Sequence, residues 1–288
     1  MKTANVCGQA FENGILMKSA NKAVICMYDK NKNIISREIN HDSILSSRSC
    51  KNAANLPIIR GTVSFLESLR LISKSFDVMA DCGVNNTCKK SYFFKSTSFL
   101  LIFFFVIPIF LAELPVISGF KQQYSEAVIK LLIFLAYTVF TALSEKRRNI
   151  LKYHGAEHKV INCSENGLRM SIENAAGCSR LHPRCGTNIT CITAVLYTLL
   201  SCVIPWDNAF ARLVAELAML PVIIGISYEV VAITVKSRSK LLEFSVNMPG
   251  KVLQLFTTME PDEIHLRLAL ESFEICTCKN SAERSHNP

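Results

Sequence analysis

With 288 residues, 50% of them hydrophobic, a mean hydropathy of +0.26 and a formal net charge of +9, the chain is too apolar for an ordinary soluble domain and long enough for one or two folded units. Its basic residues flank apolar segments and no nucleic-acid-binding motif accompanies them, so membrane topology accounts for the charge and nucleic acid is not the expected partner. The N-terminus has no charged-then-apolar run ending in a cleavage site, and no removable signal peptide is expected.

Residues 6–39 read as a small β region, with Ala23 to Tyr28 and Asn33 to Ser36 as a hairpin around Asp29-Lys30-Asn31-Lys32. Gly8 and Gly14 bracket Gln9 to Asn13, where Gln9 and Glu12 are either site residues or ordinary strand-end polar groups. His41 to Asn55 reads as a linker. Pro57 suits a helix start, and Ile58, Ile59, Val63, Leu66, Leu69, Ile72, Phe76 and Met79 give that helix an apolar face. Arg60, Glu67, Arg70 and Lys74 argue against its crossing a bilayer.

Four apolar stretches follow as expected spans: Ser96 to Gly119, Ala127 to Ser144, Asn188 to Trp206 and Leu213 to Val235. With the N-terminus inside, the outer connections and their edges hold Lys121, Lys130 and Arg212, leaving all the others of the 32 Lys and Arg residues inward. Both termini and residues 145–187 are then cytoplasmic. Glu113 and Glu216 fall near the outer boundary, whereas Glu229, toward the inner end of the fourth span, faces either the candidate site or a basic partner.

The expected fold is a mainly α-helical multi-pass membrane protein with about four transmembrane helices. It comprises an N-terminal cytoplasmic α+β region (1–95), a first helix pair (96–144), a cytoplasmic His/Glu/Cys loop (145–187), a second helix pair (188–235) and a C-terminal cytoplasmic helical region (236–288). After Lys240 the chain reads as soluble, with helices over Val252 to Phe256 and from Glu260-Pro261-Asp262-Glu263 onward. His265 reads as a surface residue. The twelve cysteines are scattered without repeated C-x-x-C pairs, and a cytoplasmic setting keeps them reduced; Cys276-Thr277-Cys278 reads as either a metal-binding pair or, ahead of that, part of a dispensable tail.

Chemistry concentrates in the loop. In Tyr153-His154-Gly155-Ala156-Glu157-His158-Lys159, a helix places His154, Glu157 and His158 on one face, spelling H-x-x-E-H. Two imidazoles at this spacing bind a metal, and the glutamate serves as general base. His182 and Cys185 downstream offer further ligands, and this N/S set suits zinc among divalent transition metals. Arg180 and Arg184 are either anion-binding groups or topology signals, and Tyr153 either orients a ligand or sits at a membrane boundary. If the second span continued as one helix, His154 would stand about 15 Å beyond the membrane edge.

The strings Tyr153 to Cys163 and Arg180 to Thr187 resemble the YqhQ-like family of bacterial multi-pass membrane proteins, a domain of unknown function. The resemblance extends to Gly8-Gln9-Ala10, Arg60-Gly61, Leu66 to Leu69, Gly225 to Glu229, Pro249-Gly250 and Thr257 to Asp262. Phe11-Glu12-Asn13-Gly14 departs from the family's apolar-Glu-Gly pattern, which leaves Glu12 without an implied role. The resemblance implies metal-dependent chemistry and supplies no substrate. The expected function is therefore a metal-dependent membrane hydrolase acting on a cytoplasmic or interfacial substrate, with Glu157 as base. The alternative is a membrane scaffold or assembly factor with a structural metal. Ligand count separates them, because a catalytic zinc keeps one position open whereas four protein ligands close it. A transporter ranks below both for want of an internal repeat.

Overall fold

The computed structural model describes residues 6–20, 22–29, 31–40, 56–84, 95, 98–114, 122–203, 208–237 and 239–278; the expected linker at His41 to Asn55 lies outside them. The N-terminal region is a four-stranded antiparallel meander, β1 (Cys7–Phe11), β2 (Gly14–Lys18), β3 (Ala23–Tyr28) and β4 (Ile34–Ile39), in sequential order. The β3–β4 hairpin is the expected one. The β1–β2 pair adds a second, its register running from Cys7↔Lys18 to Phe11↔Gly14 across the turn at Glu12-Asn13.

Both faces of this sheet are covered, which explains why β2 and β3 are continuous apolar runs rather than alternating ones. Ile15, Met17, Val24 and Cys26 join one core with Tyr153, Ala156, Val160, Leu266, Ala269 and Phe273. Leu16, Ile25 and Met27 join the other with Leu71 and Met79 of α1 (Ile59–Asp81). Full burial of each such side chain contributes about 1.5–3 kcal/mol. The first core unites segments expected to be separate: the sheet, α4 (Arg148–Glu165), α5 (Ile172–Gly177) and α9 (Glu263–Thr277). The interval 145–187, read as a cytoplasmic connection with one helix around His154, carries the two helices α4 and α5 packed in this core. Two readings of the C-terminal part change accordingly. Cys276 is buried in that core, with its thiol on the Lys22 carbonyl, so it belongs to no dispensable tail. His265 is buried as well, because its ring packs 4.5 Å from that of Tyr153 and its Nε2–H donates to Asn149 Oδ1 at 2.8 Å.

Among the described residues three helices are long and apolar enough to cross a membrane: α3 (Gln122–Leu143), α6 (Gly186–Val203) and α7 (Ala209–Lys236). The expected first span is shorter among the described residues. Helix α2 (Ser98–Ala112) contains a π turn at Ile102–Val106 just ahead of Pro108, whose ring cannot fit a regular preceding turn. Asn208 caps α7, its Oδ1 accepting from the amides of Phe210 and Ala211. Where α3 and α7 begin, Glu126, Lys130, Arg212 and Glu216 form a buried charge cluster: Lys130 Nζ lies 2.5 Å from both Glu126 Oε1 and Glu216 Oε1, and Arg212 pairs with Glu126. Glu113 is exposed at the end of α2.

At the opposite end of the bundle α1 docks on α7. Arg60 grips Glu229 with two hydrogen bonds of 2.6 and 2.5 Å, and Thr62 donates to the Pro221 carbonyl. Glu229 thus has a basic partner and takes no part in the site. Helix α3 stops at Ser144, whose extended backbone (ψ 114°) and the following 3-10 turn start α4 as a separate helix. His154 is therefore not on a rod continuing from α3, and the 15 Å offset does not apply.

Candidate metal centre

Helix α4 is exposed at Arg148, half-buried at Ser164 and Glu165, and buried from Gly155 to Ile161. That burial needs a close approach at Gly155, where a Cβ would fall 2.1 Å from the Met259 carbonyl oxygen. The Met259 amide in turn donates to the Leu151 carbonyl at 2.9 Å, fixing the segment after α8 (Met248–Thr257) against α4.

This segment supplies the polar frame of the centre. His154 Nδ1 lies 2.8 Å from the Thr257 carbonyl oxygen, and His158 Nδ1 lies 2.7 Å from that of Arg180. A carbonyl oxygen only accepts, so each Nδ1 carries a proton, and in the neutral ring this tautomer leaves the Nε2 lone pair free. That is the outer support expected of metal-binding histidines. Cys185 Sγ sits 3.3 Å from His154 Nε2, and the potential ligand atoms of His154, His158 and Cys185 all lie within 4.8 Å of one another. The Thr187 amide, in the first turn of α6, donates to the sulfur at 3.4 Å, and the Thr187 hydroxyl lies 3.4 Å from it. Burial holds the His158 pKa below the ordinary imidazole value, with Cys185 acting in the opposite sense. The ring is accordingly neutral, the form that ligates.

His182 is adjacent but not gathered with the three. Its ring centroid is 5.8 Å from that of His158, its Nδ1 accepts from the Arg184 amide at 3.3 Å, and its Nε2–H donates to Glu165 Oε2 at 3.3 Å. Both ring nitrogens are occupied. Glu157 lies on the same helix, buried against β1, where a Cβ on Gly8 would come within 2.7 Å of its carboxyl carbon; only glycine leaves this space. Burial raises its pKa, while His154, His182 and the Gly8 N–H draw it down. Its carboxylate is outside the three-ligand group.

Arg180 and Arg184 serve the frame. The guanidinium of Arg180 donates to the Thr258 carbonyl, and that of Arg184 pairs with Glu165. Tyr153 packs in the core on His265, with its phenol pKa raised by burial, and does not reach the ligands. Gln9 and Glu12 are exposed on β1 and its turn. Sequence reasoning missed Gln254, fully buried, which accepts from the His182 amide at 2.8 Å and donates to the His182 carbonyl and to Asn188 Oδ1. A glutamine inside the apolar run Val252 to Phe256 was the available signal.

His265 gives a pH prediction. Burial foremost, then Lys152, hold its pKa below the imidazole value; Asp262 opposes them, and Tyr153 and Asn149 are its other neighbours. The unfolded chain, with an imidazole pKa of about 6.5, takes up the proton first as pH falls, so stability declines below that pH until the folded-state pKa is reached. His158 and His182 act in the same direction. The thermal midpoint should drop between about pH 7.5 and about pH 5.5, and His265→Gln should blunt the drop. A midpoint that rises on acidification would contradict this.

A family model described as a protein of unknown function (DUF1385) matches residues 56–278, an interval that holds every ligand candidate but not the sheet. A relative, "Uncharacterized protein YqhQ" of Bacillus subtilis (strain 168), is 37% identical over 193 residues, covering 64% of this chain and 59% of that protein, less than two thirds of its length. No solved structure matches the chain. The motifs that build the centre lie within the matched interval, and the chain belongs to the DUF1385 family of proteins of unknown function.

Proposed function

We propose that this chain is an inner-membrane hydrolase with a zinc-type metal centre on its cytoplasmic face. The observation that carries the reading is the pair of imidazoles held by backbone carbonyls, with both Nε2 lone pairs converging on Cys185 and a buried glutamate on the same helix. Three ligands, with His182 engaged elsewhere, favour a site with one position open over a closed structural one. Their N and S donors suit zinc. The chemistry such an ion supplies when bound is Lewis acidity toward water and toward a carbonyl or phosphoryl oxygen.

The chain's own groups do the rest. His154 and His158 hold their rings in one tautomer through Thr257 and Arg180. Glu157, its pKa raised by burial, is suited to taking a proton during attack and returning it to the leaving group. Glu157→Gln keeps shape and should keep metal content while lowering hydrolysis by about 10²–10⁴-fold, read by comparing metabolites and peptides turned over by the wild type and the variant. Full complementation by metal-loaded Glu157→Gln, with failure of the double-histidine variant, would select the structural-metal alternative.

Membrane insertion is supported by the exposed apolar faces of α3, α6 and α7. The sheet packs on α4 at the site end of the bundle, yet α3 begins at the other end, beside Cys202 and Arg212. The chain must therefore pass along the bundle before Gln122, and α2 lies in that passage, which supports four crossings with both termini inside. An impermeant maleimide added to intact cells should leave the exposed Cys7 unlabelled in a variant retaining only that cysteine. Labelling before permeabilisation would reverse the topology.

A further inference from the structure

Residues 240–257 carry their polarity inside out. A short turn, Lys240–Leu242, runs through a π turn at Glu243–Asn247 into α8, and along this stretch the buried positions are Asn247, Gly250, Leu253 and Gln254, followed by Thr258. The exposed positions are mostly apolar, Leu241, Leu242, Phe244, Met248, Pro249, Val252, Leu255 and Phe256, with Ser245 the polar one among those described. In water this arrangement would be costly at roughly 25 cal/mol per Å² of apolar surface, and it is the reverse of a helix lying on a soluble core. The reversal has a structural reason. The inner face builds the metal centre's frame, with Thr257 on His154 and Gln254 on His182 and Asn188, so the polar residues are spent there.

The position of the helix says what covers the outer face. The stretch follows α7 after only three residues. It packs on the first turn of α6, where a Cβ on Gly250 would fall 1.9 Å from Asn188 Oδ1. A helix packed at the ends of membrane-length helices stands at the depth where hydrocarbon gives way to headgroups. Lys236, Arg238 and Lys240 lead into it in the sequence, and such basic residues suit an anionic leaflet.

We propose that residues 241–256 form an in-plane helix whose outer face is seated in the upper acyl region of the leaflet beside the metal centre, so that lipid holds the element that orients His154 and His182. This surface takes a lipid monolayer rather than a protein partner. Resting on the hydrolase reading, the substrate class is an amphiphile whose scissile bond lies at headgroup depth, since Cys185 immediately precedes α6.

The test uses the full chain, freed of metal, in nanodiscs of phosphatidylcholine and phosphatidylglycerol. Trp206, the sole tryptophan, is replaced by phenylalanine, and single tryptophans are placed by Phe244→Trp, Val252→Trp and, as a control on the exposed side of α9, Glu271→Trp. Lipids brominated on the upper acyl carbons should quench the first two at least about twofold and leave the control unchanged. Quenching at 244 and 252 no greater than at 271 would overturn the proposal, whether the face then proved to be in water or covered by a second copy of the chain. Because the measurement needs neither metal nor turnover, failure of the hydrolase reading leaves this result standing, and the reverse also holds.

Discussion

Lys130→Met is expected to destabilise the helical bundle by about 3–5 kcal/mol, the usual consequence of removing one partner from a buried ion pair. Lys130 is the shared cation of two carboxylates, Glu126 and Glu216, and all three are buried. Without it, Arg212 still faces Glu126, but the Glu216 carboxylate loses its salt bridge and Ser201 its contact with the ammonium, while the Glu216 backbone carbonyl still accepts from Tyr197. A lone carboxylate in so apolar a setting must bind a proton or draw water in, and either weakens the contact between α3 and α7. Urea unfolding of the full chain in mixed micelles, followed by circular dichroism, measures the loss. Lys130→Met combined with Glu216→Gln removes the orphaned charge and should recover more than half of it. A single variant within about 0.5 kcal/mol of wild type would mean that the cluster is hydrated and not a core feature.

The contrast between what the sequence revealed and what it hid follows physical lines. Apolar length identified α3, α6 and α7 because a bilayer-length helix needs nothing else to be recognised, whereas α2 is interrupted by the accommodation of Pro108. The β1–β2 hairpin was half hidden because Gly14 to Lys18 is buried on both faces and so lacks strand alternation. Among the candidate ligands, the pairing of His154 with His158 was legible from local spacing, since helical geometry alone puts the two imidazoles together, whereas the approach of Cys185 is a long-range contact. The separation of His182 was not legible, because Glu165 and the Arg184 amide compete for its ring through contacts that no local pattern encodes.

The same reasoning explains why the C-terminal part was misread. His265 and Cys276 are polar or reactive residues near the chain's end, and such residues are usually exposed; here α9 closes the core that the sheet and α4 leave open. The apolar outer face of α8 escaped notice because polar Asn247, Gln254 and Thr258 break its hydropathy, although they point inward. Pattern reading assumes that polar means outside. At the end of a bundle of membrane-length helices that assumption reverses.

The largest expected effect is on metal content. The double variant His154→Ala/His158→Ala leaves Cys185 as the sole member of the gathered group, and a single thiol does not retain zinc against a chelator. Wild-type protein purified without added chelator should carry about one zinc per chain, and the variant less than about a tenth of that, by elemental analysis. Loss of a supporting partner alone typically weakens metal affinity about 10–100-fold, so loss of two ligands should exceed that range. His158 is almost fully buried and its replacement leaves a void and an unpaired Arg180 carbonyl, so the fold needs its own control. Cys185→Ser supplies it: the side chain is nearly isosteric, both imidazoles stay on Thr257 and Arg180, and zinc should still fall because a serine hydroxyl is not deprotonated at neutral pH. If Cys185→Ser and the double-histidine variant both retained wild-type zinc while melting as the wild type does, the metal would be bound elsewhere and this cluster would be a packing feature of α4.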